Sequence, residues 1–381
     1  MTPTHILFAA SDTGSGHRSA AVAIGAALQE LAGDAISYEI LDVLQATGLP
    51  IARDAAQVYS LLSTSLLPFY NLAFTLTNDP QRVEFISKIV ASWARTTLAT
   101  RLRKAQPHLI VATHPLVQRF VHEARQAAGL ENLHLITVVT DLVSLHRSWA
   151  YPAVDLCIAP TSEAYNLLSQ WGIPSAKLRQ TGFPVHPKFA HFTASQAEAR
   201  QALGLAPDRF TILLTSGGVG SGKIAEVVAA LEQAFPLTQT LVVTGNNKAL
   251  LTKLSANPRS SQTKLYGFVE NMEALMVASD VVVTKAGPGT LMEALVLRRP
   301  VIITEAIGKQ EEGNITFVTQ RQLGFHCPTT AELVKALQIL AQPQEYQTFV
   351  ARMTDAVPRE GASQIAQIIL DQIVQQSIPV S

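Results

Sequence analysis

The sequence predicts an α/β fold of two doubly wound, Rossmann-like domains facing a cleft. Short aliphatic runs alternate with helix-patterned stretches, and the series restarts after a polar segment with two prolines. At 381 residues the chain also exceeds the ~250 to 300 at which one core usually stops growing. In doubly wound sheets ligands sit beyond the carboxyl ends of the strands, so the loops there are where chemistry is sought.

The first series of strands is HILFAA, ISYEILDVL, HLIVATH, LHLITVVTD, VDLCIAP and KLRQTGFPV, with helix patterns such as SAAVAIGAALQEL between most of them. GFPVHPKFAHFTAS reads as a linker, followed by helix-like QAEARQALGL. TILLTSGG, LVVTGNN, TKLYGFV, DVVVTKAG and PVIITEA form the second series, and PREGASQIAQIILDQIVQQ reads as an amphipathic C-terminal helix. The expected partition is residues 1–190, 191–357 and a final helix over 358–381. No fixed-period repeat is present, which argues against a solenoid.

Composition narrows the function classes. Lys plus Arg, 29, balance Asp plus Glu, 29, and 48% of residues are hydrophobic. That excludes a nucleic-acid binder held by bulk charge and excludes wholesale disorder. Cys157 and Cys327, with no CxxC spacing, point to a reducing compartment without a disulfide framework or zinc site. MTPTHILFAASD lacks a basic region before its apolar run, so a cytoplasmic location is expected. Residues 55–78 carry no charge and are long enough to cross a bilayer, but Gln57, Pro68, Asn71 and several hydroxyls dilute them. A broken helical segment at a membrane surface is the expectation.

Three glycine turns follow strands. Ser11-Asp-Thr-Gly-Ser-Gly-His17 begins a dinucleotide fingerprint with Gly14 and Gly16, but Ser19 stands where the third glycine belongs, with Glu39 or Asp42 as the later acid. A nicotinamide oxidoreductase is therefore one alternative. His17, where the turn becomes a helix, has a free pKa of about 6.5 and suits a general base. A histidine that satisfies backbone groups is the plainer reading. SGGVGSGKI carries G-x-x-x-x-G-K, yet Ile224 replaces the Ser or Thr that holds magnesium in an ATPase loop. Gly217 and Gly218 can still expose backbone amides to a phosphate or an acceptor.

The third turn, Lys285-Ala-Gly-Pro-Gly-Thr-Leu-Met-Glu293, opens a helix whose positive end suits a pyrophosphate, with Glu293 one turn in for ribose hydroxyls. Thr290-x-x-Glu293 equally reads as a capping box. Gln310, Glu311, Glu312 and Asn314 group carboxylates with amides, a set that suits sugar hydroxyls or a polar surface loop. No D-x-D occurs, so no metal clamp on a diphosphate is expected, and no metal ligand set is evident.

KAGPGTLMEAL followed by QEEGN, with SDTGSGHRSAAVAI, TDLVSLHRSW, TGFPVHPKF and YGFVENMEALMVASDVVVT in order, carries a family resemblance over nearly the whole chain. The sequence resembles the monogalactosyldiacylglycerol synthase and processive diacylglycerol glucosyltransferase family, related to the peptidoglycan N-acetylglucosaminyltransferase. Ser15 departs from it, since a glycine is common there. The resemblance implies a GT-B architecture in which an acceptor domain precedes a UDP-sugar domain. It implies His17 at the reaction centre, uracil at the backbone near Phe268 and Val269, and phosphate at Gly287, Pro288, Gly289 and Thr290. Glu293 falls at the ribose, with Gln310 and Glu311 at the hexose.

The implied reaction is inverting transfer of galactose or glucose from a UDP-hexose to diacylglycerol. His17 is the base, oriented by Asp12 or Asp141, and neither cofactor nor metal is expected. A lipid acceptor requires a membrane, and Tyr59, Leu66, Leu67, Phe69, Tyr70 and Phe74 are candidates for shallow insertion. Arg82, Lys88, Arg95, Arg101, Arg103 and Lys104, opposed by Glu84, suit anionic membrane lipids. An ordinary helical pair with a solvated basic face is the alternative. His146 and Trp149 are expected to line the acceptor side, and the expected location is peripheral, on the inner face of the cell membrane. A polyprenyl-linked peptidoglycan precursor is the alternative acceptor, and a nonenzymatic UDP-sugar sensor the alternative of another class.

Overall fold

The computed structural model describes residues 3–12, 15–48, 66–215, 224–256 and 260–377. The chain separates into two compact units: Met1–Pro187 with Gly308–Gln310 and Arg359–Ser381, and Lys188–Ile307 with Glu311–Pro358.

The first unit holds a six-stranded sheet in the order β2-β1-β3-β4-β5-β6. Its strands are β1 (Thr4–Ala10), β2 (Ile36–Asp42), β3 (Leu109–Ala112), β4 (His134–Val138), β5 (Leu156–Ala159) and β6 (Leu178–Gln180). All pair in parallel, for example Phe8 with Val111 and Val111 with Ile136. Parallel strands are covered on both faces, and the period of two sorts their side chains. Ile6 and Phe8 enter a core with helix α1 (Ser15–Ala32) and the last helix (Gly361–Ser377), through Ile24, Leu28, Ile365 and Ile369. Leu7 and Ala9 enter the opposite core.

On that side, helix α2 (Leu67–Thr77) leads into α3 (Pro80–Ala105), which packs on α4 (Val117–Ala128) through Ala94, Leu98, Phe120 and Val121. Asp79 starts α3 by accepting the amides of Gln81 and Arg82, with Pro80 at the position where a missing N–H costs nothing. Gly361 begins the last helix against bare backbone: a Cβ there would stand 2.2 Å from the Phe183 carbonyl oxygen.

The second unit holds the order β12-β11-β10-β7-β8-β9, also parallel throughout. These are β7 (Thr211–Thr215), β8 (Gln239–Val243), β9 (Thr263–Tyr266), β10 (Val281–Thr284), β11 (Val301–Ile303) and β12 (Gly324–His326). Two helices carry candidate residues: α5 (Pro288–Val296) and α6 (Gly308–Gln320). Nine strands lie inside the predicted runs, β1 and β8 overlap theirs but start one and two residues earlier, and β12 matches none. It has three residues, sits at the sheet edge and leaves His326 exposed, so neither an aliphatic run nor an alternation marks it.

Candidate functional site

The first cluster arises from three neighbouring strands. Because β1, β3 and β4 are adjacent and parallel, the segments after them leave the sheet at one edge. His17 lies in the first turn of α1, Thr113 and His114 follow β3, and Thr140 and Asp141 follow β4. The His17 Nδ1 lies 2.7 Å from Thr140 Oγ1 and 3.1 Å from the Thr113 carbonyl oxygen, while Thr113 Oγ1 donates back to the His17 carbonyl at 3.0 Å.

A carbonyl only accepts, so Nδ1 carries the proton and Nε2 is left as the basic nitrogen. Burial lowers the His17 pKa, against the opposing effects of Asp141 and the Thr113 carbonyl. The ring is therefore neutral at pH 7. His114 packs edge-on against it with centroids 4.5 Å apart and is itself held well below the usual histidine range by burial.

The two acids expected to orient His17 do not bond it. Asp12 is exposed and turns to Arg18 at 3.3 Å. Asp141 is buried and accepts from the Trp149 indole at 2.6 Å, acting on His17 through its field alone. The threonines have displaced the acids because a neutral hydroxyl and a carbonyl can be buried beside a neutral imidazole without an uncompensated charge. Trp149 is fully buried, so it supports Asp141 and does not line an open acceptor surface. His146 bonds Thr77 at 3.2 Å and Ser148 at 2.7 Å, and burial pushes its pKa down to about 4. Gly16 lies beside His17 with open space where a Cβ would stand, and Gly14 falls outside the described residues. Asp42, a candidate ribose acid, instead caps the short helix Val43–Ala46.

Gln310, counted with the first unit, donates to Asp141 Oδ1 at 3.0 Å and accepts the Tyr70 hydroxyl at 2.7 Å. Along α2, Phe69, Leu72 and Leu76 are exposed at i, i+3 and i+7. Tyr70 and Phe74 point the other way, Phe74 packing on His146 with ring centroids 5.1 Å apart. Of the four aromatics expected to insert, Tyr59 falls outside the described residues, and among the other three only Phe69 is on the outward stripe, because the helical period places Tyr70 and Phe74 a residue or more around the axis.

The second cluster lies beyond β9, β10 and β11. Helix α5 starts at Pro288, with Gly287 as its N-cap and no side-chain cap. The capping box at Thr290 is thus absent: Thr290 is already inside the first turn. The amides of Gly289 and Thr290 have no intrahelical acceptor and join the helix dipole in favouring an anion. Lys285 and Glu311 pair at 2.6 Å beside this turn, Glu311 also accepts the Ile307 amide at 2.8 Å, and Asn314 donates to the Ala286 carbonyl at 2.7 Å. A Cβ on Gly287 would meet Lys285 Nζ at 2.9 Å, so glycine leaves room for the pair.

Glu293 sits deeper on α5. Burial raises its carboxyl to about 7, with Glu273 adding to the rise and Lys188 opposing it. Lys188 is committed to Glu273 at 2.8 Å. A carboxyl raised in the folded state stabilises below its ordinary pKa of 4.5, and that contribution is lost as pH rises through 7. Glu293→Gln should therefore gain melting temperature relative to wild type as pH passes from below 4.5 to above 7, read by thermal denaturation. Equal shifts at both ends would show that Glu293 is not desolvated.

Phe268, just after β9, is 68% exposed, with Val269 partly buried beside it. Gly217 and Gly218 fall outside the described residues, but Ile224, which takes the place of a magnesium-binding hydroxyl, is buried at the start of the helix Ile224–Ala234. Thr113, His114 and Thr140 were not picked out from sequence. Their signal was present in HLIVATH and LITVVTD, where a polar residue ends each strand run beside the one carrying His17.

Residues 17–185 match the family model for monogalactosyldiacylglycerol synthase, and residues 211–367 that for the glycosyltransferase family 28 C-terminal domain. The chloroplastic monogalactosyldiacylglycerol synthase of Spinacia oleracea is 30% identical over 390 residues, covering 99% of this chain and 74% of that protein. Monogalactosyldiacylglycerol synthase 2, chloroplastic, of Arabidopsis thaliana is 32% identical over 342 residues, covering 87% and 72%. Among solved structures, MurG of Acinetobacter baumannii superposes with a TM-score of 0.63 at 12% identity, over 97% of this chain and 100% of that one. The chain is a glycosyltransferase with the GT-B fold, and it belongs to the monogalactosyldiacylglycerol synthase family.

Proposed function

We propose that the protein transfers a hexose, galactose in the first instance, from a UDP-sugar to the free hydroxyl of diacylglycerol with inversion at the anomeric carbon. The names of the relatives favour galactose and diacylglycerol, and the contacts of His17 Nδ1 with the Thr113 carbonyl and the Thr140 hydroxyl, which leave Nε2 as the basic nitrogen, are the observation that supports the chemistry. Nε2 takes the proton of the acceptor hydroxyl as its oxygen forms the bond to C1. The bond from C1 to the phosphate oxygen breaks, and UDP leaves with the electron pair. The Gly289 and Thr290 amides and the dipole of α5 meet the charge that develops on the diphosphate. Glu293 accepts from the ribose hydroxyls, and Glu311 with Asn314 faces the hexose.

Diacylglycerol is reached at a bilayer, on its inner face, by the outward stripe of α2. Among the described residues no helix is long and apolar enough to cross a membrane. Phe69→Asp with Leu72→Asp should lower sedimentation with diacylglycerol vesicles about tenfold or more while leaving UDP binding intact; undiminished sedimentation would remove α2 as the membrane contact.

The proposal is tested by supplying UDP-galactose and UDP-glucose separately to the protein with diacylglycerol vesicles and EDTA. Glycosyl diacylglycerol from UDP-galactose is expected. UDP binding without product, or product only with a polyprenyl-linked acceptor, would overturn it.

A further inference from the structure

Asp141 sets its charge against His17, and a side chain donates to each of its oxygens: the Trp149 indole to Oδ2 at 2.6 Å and the Gln310 amide to Oδ1 at 3.0 Å. The two donors differ in kind. An indole N–H only donates, whereas an amide can turn over and present its carbonyl instead. A carboxylate only accepts, so Gln310 must face Asp141 with Nε2 and point Oε1 away. The Tyr70 hydroxyl donates to that Oε1 at 2.7 Å, which fixes the amide in the one orientation that holds Asp141.

The residues before Gln310 are seated on the helix that carries Tyr70. On α2, Asn71 accepts the Lys309 amide and Thr75 accepts the Lys309 ammonium, each at 3.0 Å. Gly308 has a φ of +63°, and a Cβ there would stand 2.7 Å from Asn71 Oδ1 and 2.9 Å from the Tyr70 ring, so glycine is needed on both counts. Residues 308–310 and α2 belong to the same unit. The reach from Tyr70 to Gln310 is therefore set by backbone as well as by side chains.

The chain of donors ends beside the base. When His17 takes the acceptor proton, an imidazolium forms where burial already disfavours charge. Among the described residues the titratable groups facing this set are His114, after β3, and His146, which faces Asp141. Burial holds both well below the usual histidine range, His146 at about 4, so both are neutral and Asp141 supplies the compensating charge. A charge aimed in advance stabilises the transition state without reorganising during it.

We infer that Tyr70 is a positioning residue for sugar transfer: through Gln310 it holds Asp141 in the orientation that stabilises the imidazolium formed on His17. This role rests on His17 acting as base in the proposed reaction. It gives Tyr70 work other than membrane insertion and Gln310 work other than hexose binding.

Tyr70→Phe loses the hydroxyl and keeps the ring, so α2 keeps its packing. Transfer from UDP-galactose to diacylglycerol vesicles is measured across pH for wild type, Tyr70→Phe, Gln310→Ala, Asp141→Asn and the Tyr70→Phe/Asp141→Asn pair. The His17 ring nitrogens of wild type and Tyr70→Phe are also titrated by NMR. Tyr70→Phe should lower kcat about three- to tenfold, the size of one hydrogen bond, with KM for the UDP-sugar and sedimentation with the vesicles unchanged. Asp141 raises the His17 pKa against burial, so loosening it should move both the acid limb of kcat and the NMR titration to lower pH. Gln310→Ala should behave likewise, and in the Asp141→Asn background Tyr70→Phe should cost nothing further. A full additional cost in that background would show that Tyr70 acts by another route and overturn the relay. So would weaker sedimentation of Tyr70→Phe with kcat unchanged, which would make Tyr70 a membrane contact. A raised KM for the UDP-sugar in Gln310→Ala with kcat and the acid limb unmoved would return Gln310 to the hexose and overturn it too. The NMR titration needs no turnover: if wild type transfers no sugar the proposed reaction fails, while a His17 titration that moves in Tyr70→Phe still supports the relay and one that stays overturns it.

Discussion

Replacing His17 by alanine is expected to lower kcat by about 10² to 10⁴ while leaving the Kd for UDP close to wild type. The split follows from where the ring stands. His17 is held by Thr113 and Thr140, on the first unit, whereas the residues assigned to the nucleotide belong to the second. Removing the imidazole deletes the proton acceptor and no donor contact. The pH profile supplies a second reading: because burial lowers the His17 pKa, the acid limb of kcat should fall below the ordinary 6.5. Thr140→Val, which removes a bond to Nδ1 and keeps the ring, should cost less than His17→Ala. A near-normal rate for His17→Ala would remove the histidine from the mechanism.

The second large effect is expected at Glu293. Glu293→Ala should raise KM for the UDP-sugar by about 10- to 100-fold, the size of one or two hydrogen bonds to a charged group, with a smaller change in kcat. Since its carboxyl is raised to about 7, donor affinity in the wild type should also improve as pH climbs through that value and the carboxylate forms. Titration calorimetry with UDP-hexose at several pH values reads both. Donor affinity that ignores pH and the substitution would place the ribose elsewhere.

The parallel sheets were legible because strands buried on both faces read as aliphatic runs, and VVVT, TILLT and LHLITV leave little choice of period. The position of His17 was equally legible, since a glycine turn between a strand and a helix fixes where its last residue stands. The partner of His17 was not. Sequence favours a charged orienter, and Asp12 is nearest along the chain, but it is the adjacency of β1, β3 and β4 that brings Thr113 and Thr140 to the ring. Strand order is decided by the whole sheet and leaves no local trace. The same limit explains Trp149, whose place beyond LITVVTD suggested the acceptor side and whose burial assigns it to Asp141. In α2 the composition marked an uncharged, apolar helix, whereas which aromatics face outward depended on the phase set by the inward contacts of Tyr70 and Phe74.

The central claim is a single displacement with His17 as base, and the anomeric configuration of the product tests it most directly. Glycolipid made by the wild-type protein from UDP-α-galactose and diacylglycerol vesicles would be isolated and its H1–H2 coupling read by proton NMR. A β-linked galactosyl diacylglycerol is predicted; an α-linked product would contradict the single displacement and require a different role for His17.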